Sequence, residues 1–125
     1  MHILSFSVSL TVSDVPTSAS FLTRHFGFLE KTAADGFASL LHEQSGINVI
    51  YLRKGIDVLP EDFRDEHAQG VIVALVTTNL EAEEQRLKQE GVLITMPLRI
   101  EPWGEKLFQV KDPNGIVIQL VEWVN

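Results

Sequence analysis

Leu4, Phe6, Val8, Leu10 and Val12 alternate with Ser5, Ser7, Ser9 and Thr11, a period of two that predicts a strand over Ile3 to Val12 with one apolar and one hydroxyl face. Ser13-Asp14-Val15-Pro16 then opens a helix. Ser13 or Asp14 supplies the cap, and Pro16 falls in the first turn, where a missing N–H costs nothing. This helix runs to about Phe26 and stops at Gly27, a residue suited to the left-handed C-terminal conformation. Phe28 to Ala33, Phe37 to Glu43 and Ile47 to Arg53 follow as strands, the last two joined by Gln44-Ser45-Gly46. Residues 54–69 break the pattern with charge, Gly55 and Pro60, and are expected to form a connector or flap.

The order then repeats. A strand over Val71 to Thr77 leads to an N-cap at Thr78 or Asn79, a helix over Leu80 to Glu90 and a stop at Gly91. Strands over Val92 to Ile100, Lys106 to Asp112 and Ile116 to Val124 complete the second half. Asp112-Pro113-Asn114-Gly115 is a hairpin signal, because proline presets one turn dihedral and glycine allows a positive φ. The near-equal spacing from Asp14 to Gly27 and from Asn79 to Gly91 marks an internal duplication. The expectation is an α+β chain of two tandem βαβββ modules in one domain over 1–125: module one 1–53, connector 54–69, module two 70–125.

Composition narrows the function. The 125 residues, 45% of them hydrophobic, suffice for one compact core and are few for two ordinary domains. No apolar run reaches the length of a membrane span and the start lacks a signal-peptide pattern, so a cytoplasmic location is expected. The absence of cysteine excludes disulfides, thiolate metal sites and cysteine nucleophiles. A formal charge of −7 argues against a nucleic-acid partner.

Val12-Ser13-Asp14-Val15 leading to Phe21, His25-Phe26-Gly27-Phe28, Gly91-Val92, Pro102-Trp103-Gly104 and Phe108-Gln109-Val110-Lys111-Asp112-Pro113-Asn114-Gly115 form an ordered set spanning nearly the whole chain. In this set the sequence resembles the vicinal oxygen chelate superfamily of glyoxalase I, extradiol dioxygenases, fosfomycin-resistance enzymes and bleomycin-resistance proteins. The resemblance implies modules whose sheets curl around a cleft, helices on the convex side, and a homodimer that assembles the clefts. It also implies metal ligands on inward positions of the first and last strands of each module. Here those positions fall on Ser7, Ile72, Gln119, and Ile50, or Tyr51 if the register slips by one. Only Gln119 offers a suitable donor, and one neutral amide does not hold a divalent metal. No metal, cofactor or catalytic residue is therefore assigned, and the resemblance narrows to the bleomycin-resistance branch.

The remaining polar residues do not alter this expectation. His25 sits where an imidazole meets the negative end of a helix, adjacent His42 and Glu43 point to opposite strand faces, His67 belongs to the connector, and His2 is given no role. Gln119 and Glu122, three apart on one strand, also face opposite ways. Glu101 and Glu105 flank Trp103 as solvated rim groups or as contacts for a cationic ligand. Trp103 is a packed plug or a stacking surface.

The expected lining, Ser5, Ser7, Ser9 and Thr11 with Ile72, Ala74, Val76, Val117, Gln119, Val121 and Trp123, mixes hydroxyl and apolar groups, as an organic-molecule site or a filled interior would. The candidate ligand-binding residues are Trp103, Ser7, Ser9, Ile72, Gln119, Tyr51 and Glu101. The expected function is non-catalytic binding or sequestration of a small organic molecule, planar or cationic, in a cleft at a dimer interface. The alternatives are a metal-dependent glyoxalase- or dioxygenase-type enzyme with unrecognised ligands, and a structural or regulatory dimer module.

Overall fold

A computed structural model describes residues 1–124. Eight strands and two α-helices build two successive βαβββ modules, and the chain divides between Gln69 and Gly70 into two compact units.

In unit one, β1 (Ser7–Val12), α1 (Val15–Phe26), β2 (Leu29–Ala34), β3 (Phe37–His42) and β4 (Ile47–Arg53) give a sheet of order β1-β4-β3-β2. β1 runs parallel to β4, which requires the α1 crossover, and the other pairs are antiparallel. Asp14 caps α1 by accepting from the Thr17 backbone N–H at 3.4 Å, and Gly27 ends it at φ 72°. Leu10, Val12, Ala38, Leu40, Val49 and Tyr51 are buried together with Val15, Ala19 and Leu22 of α1. The helix therefore covers one sheet face, and that burial is the main stabilising term of the unit.

The first strand is shorter than its alternation predicts. Ser7 pairs with Asn48 in parallel register, and β4 begins only one residue earlier, at Ile47. Residues before Ser7 thus have no ladder to join, Ser5 is not in a strand, and Phe6 is 74% exposed. The connector is tied to this unit. Lys54 N–H donates to the Val12 carbonyl, Ala68 N–H to the Thr11 carbonyl, and the Arg64 guanidinium to the carbonyls of Leu59 and Asp57. A 3₁₀ turn spans Glu61–Phe63, and Leu59 is buried.

In unit two, β5 (Ile72–Val76), α2 (Leu80–Gln89), β6 (Ile94–Ile100), β7 (Glu105–Lys111) and β8 (Val117–Trp123) repeat the arrangement as β5-β8-β7-β6. β5 is parallel to β8, and the remaining pairs are antiparallel. The Asp112–Gly115 turn closes β7 to β8. Gly115 N–H donates to the Asp112 carbonyl, and Asp112 Oδ1 accepts from the N–H groups of Asn114 and Ile116, both at 2.9 Å. The two sheets are separate four-stranded layers, and neither closes into a barrel.

The second helix is capped differently from the first. Asn79 takes a left-handed conformation, φ 58°, and its side chain makes no cap bond. Glu122 of β8 supplies the cap instead, Oε2 accepting from Asn79 N–H at 3.0 Å and Oε1 from Leu80 N–H at 3.3 Å. A carboxylate there also meets the positive end of the helix dipole. Glu122 thus lies on the helix side of the sheet, opposite Gln119.

Candidate functional site

Each module has one sheet face covered by its own helix and one facing away from it. Strand register assigns the residues of the second face, because directly paired residues share a side of the sheet. In module one Ser7, Ser9 and Thr11 of β1 lie beside Asn48, Ile50 and Leu52 of β4, and these beside Leu41, Ser39 and Phe37 of β3. The register places Ile50 on this face and Tyr51 on the other. Tyr51, 1% exposed, lies in the core, where it offers no surface to a ligand, which corrects its inclusion among the candidate ligand contacts.

Asn48 connects the polar residues of this face. Its side chain accepts from the Ser7 hydroxyl and donates to Ser39 Oγ at 3.0 Å and to the Leu40 carbonyl at 2.9 Å. Ser9 is exposed beside them.

In module two Ile72, Ala74 and Val76 of β5 lie beside Val117, Gln119 and Val121 of β8. These lie beside Lys111, Gln109 and Leu107 of β7, with Trp123 opposite Glu105. The centre of the face is polar. Gln109 Nε2 donates to Gln119 Oε1 at 2.8 Å, Gln119 Nε2 donates to Glu105 Oε2 at 3.4 Å, and Trp103 Nε1 donates to Glu105 Oε1 at 3.0 Å. The chain Gln109–Gln119–Glu105–Trp103 runs from the sheet interior to its rim. Gln119 is 8% exposed and Trp103 65%, so polarity buried at one end is continuous with an accessible indole at the other.

Glu101 is committed elsewhere, to an ion pair and hydrogen bond with Arg99. Lys106 lies on the helix side, where it pairs with Glu81 and stands 3.8 Å from Glu122. The bond to Lys106 holds the Glu81 carboxyl below its usual range, as Arg53 does for Asp35 in module one.

A divalent metal does not suit these donors. Ser7, Ile50 and Ile72 provide neither imidazole nor carboxylate, and the Gln119 carbonyl already accepts from Gln109. Among the described residues, no three His, Asp or Glu side chains converge as a metal site.

Gln109 was not among the expected site residues, although the hairpin signals it: counting outward from the Asp112–Gly115 turn places it opposite Gln119. Glu105 was singled out only alongside Glu101, and the sequence has no local feature showing that Arg99 would engage one and leave the other.

The architecture is that of tandem βαβββ proteins. The chain belongs to the Glyoxalase/Bleomycin resistance protein/Dioxygenase superfamily, whose family model matches residues 2–120. Solved structures share the fold at low identity. A superfamily member from Sphaerobacter thermophilus is 23% identical over 97% of this chain and 98% of its own, with a TM-score of 0.75. TioX from Micromonospora sp. ML1 is 23% identical over 96% and 98%, TM-score 0.71. A lactoylglutathione lyase from Agrobacterium tumefaciens is 12% identical over 94% and 91%, TM-score 0.75. No curated protein matches the chain.

Proposed function

We propose that the chain binds a small planar or amphipathic organic molecule without transforming it, as a homodimer in the cytoplasm, in the manner of the bleomycin-resistance branch. The observation that carries this is the hydrogen-bonded chain from Gln109 through Gln119 and Glu105 to exposed Trp103, beside the exposed apolar residues Ile72 and Val76. Apolar surface with a few oriented polar groups suits capture of an organic ligand by burial and directed hydrogen bonds. Ser7 and Ser9 add hydroxyls on the corresponding face of module one, and Trp103 is the stacking residue. Glu101, already paired with Arg99, shapes the rim.

Thermal unfolding with a panel of planar antibiotics and aromatic amines tests the proposal. A true ligand at a hundred times its dissociation constant adds about 2.7 kcal/mol of stability and changes tryptophan emission. A stoichiometric transition metal in protein purified without chelator, together with turnover of a hemithioacetal or catechol, would replace this proposal with the enzymatic one. An unchanged melting curve across the panel, with no metal, would favour a structural module.

A further inference from the structure

Glu105 differs from the other acids on its sheet. It is half-buried, and its recorded side-chain partners are neutral donors, the Trp103 indole N–H and the Gln119 amide. The nearby bases are engaged elsewhere. Arg99 pairs with Glu101, and Lys106, on the opposite side of the sheet, pairs with Glu81. Among the described residues Glu105 has no ion pair. A carboxylate partly withdrawn from water without a counter-charge is poised to accept one.

Its neighbours suit a particular kind of cation. Trp123 is the direct cross-strand partner of Glu105, so its indole rises from the same side of the sheet, and it is 52% exposed. Gly104 brings the two strands together at the rim. Its N–H donates to the Glu101 carbonyl, its carbonyl accepts from Val124 N–H at 2.8 Å, and a Cβ added there would stand 2.8 Å from the Val124 carbonyl oxygen. Trp103, in the turn before β7, precedes Gly104 directly, and Trp123, the last residue of β8, precedes Val124 directly. They are the chain's two tryptophans. Indole faces attract alkylated ammonium groups, which lose less hydration than a metal ion or primary ammonium. A nearby carboxylate adds charge without requiring a donated hydrogen bond.

We infer that Glu105, Trp103 and Trp123 form a subsite for an organic cation, a tertiary or quaternary ammonium carried on an apolar or planar body. This inference rests on the small-molecule function proposed above and specifies the charge and class of the ligand. Gln119 holds the carboxylate from the sheet side, and the apolar residues of β5 and β8 meet the uncharged body. The net charge of −7 favours approach of a cation to this rim.

Intrinsic tryptophan fluorescence reports on the subsite directly. The full chain is titrated with benzyltrimethylammonium and, separately, with its neutral isostere neopentylbenzene. The cation is expected to quench emission saturably and to bind about tenfold more tightly than the isostere, an increment of about 1.4 kcal/mol. Glu105→Gln, which keeps the shape and one of the two acceptor oxygens, is expected to lower the affinity for the cation to that for the isostere while the cooperative melting transition is retained. Trp123→Leu, with Trp103 still reporting, is expected to weaken the cation severalfold. Equal affinity of wild type for cation and isostere would overturn the inference and leave small-molecule binding standing, as would a cation preference unaffected by Glu105→Gln. Failure of both probes to bind, with no ligand found in the antibiotic and amine panel, would overturn both.

Discussion

On the helix-free face of module one, the hydroxyls of Ser7, Ser9 and Thr11 occupy the edge strand, and Asn48 and Ser39 lie inside the sheet among Ile50, Leu52 and Phe37; on module two, apolar Ile72, Ala74 and Val76 occupy the edge, and Gln119, Gln109 and Glu105 lie inside among Val117, Val121 and Leu107. The helix-covered faces do not differ in this way. Leu22 of α1 and Leu87 of α2 occupy matching positions and are both buried, as are Val49 and Ile118 on the matching strands. Duplication therefore preserved the packing that folds each module, while the faces free of a helix diverged most at their edge strands, hydroxyl-bearing in β1 and apolar in β5. Polar groups inside a sheet require partners, and in module two those partners form a continuous chain that ends at the exposed indole of Trp103.

The largest expected effect comes from the faces that match. Leu22→Ala and Leu87→Ala should each cost about 2–5 kcal/mol, measured by denaturant unfolding, and the costs should agree within the spread of such substitutions. A loss confined to one module would show that the helix-covered faces are not equivalent.

A smaller effect tests the faces that differ. Gln119→Leu leaves the Gln109 amide without its partner and should cost about 1–3 kcal/mol, whereas the double replacement Gln109→Leu with Gln119→Leu should recover part of that loss, because it removes the orphaned Gln109 amide and leaves only half-buried Glu105 Oε2 without its amide donor. A double-mutant cycle measures the coupling. Ile50→Leu at the matching position of module one should cost less than about 1.5 kcal/mol, and a larger cost there would remove the contrast between the faces.

The smallest effect concerns acidity. Hydrogen bonding and charge attraction from Arg53 lower the pKa of exposed Asp35, and a hydrogen bond from Lys106 lowers that of Glu81. Because both are depressed in the folded state, each contribution is fully present above the ordinary carboxylate range and is lost as pH falls through the folded-state pKa. Asp35→Asn and Glu81→Gln should each flatten the acid limb of a melting-temperature profile slightly, and salt should reduce the difference from wild type. A steeper acid limb in either variant would contradict the assigned direction.

Much of this comparison was legible before folding. Alternation placed Ile72, Ala74, Val76, Val117, Gln119, Val121 and Trp123 on one side, and the register joins them there. It could not show that the ladder stops at Ser7, because the apolar period continues through Phe6 and Leu4 and only the start of β4 at Ile47 ends it. Nor could it choose between Ile50 and Tyr51, since a one-residue slip exchanges the faces. The helix caps divide in the same way. Asp14 is three residues from Thr17, within reach of local pattern reading, whereas Glu122 caps α2 from 42 and 43 positions away in the chain.

The sequence by itself determined the duplicated βαβββ order, the Asp112–Gly115 turn and the face on which most strand residues lie, because these follow from local periodicity, caps and turn chemistry. Tertiary structure alone decided which polar groups answer one another. Arg99 engages Glu101, Lys106 meets Glu81 across the helix side, and Glu105 is left between Trp103 and Trp123 with neutral donors. Lys106–Glu81 and Gln119–Glu105 join segments 25 and 14 positions apart and depend on strand register, and even the short-range pairs Arg99–Glu101 and Trp103–Glu105 depend on the local backbone path at the rim, which the residue types alone do not specify.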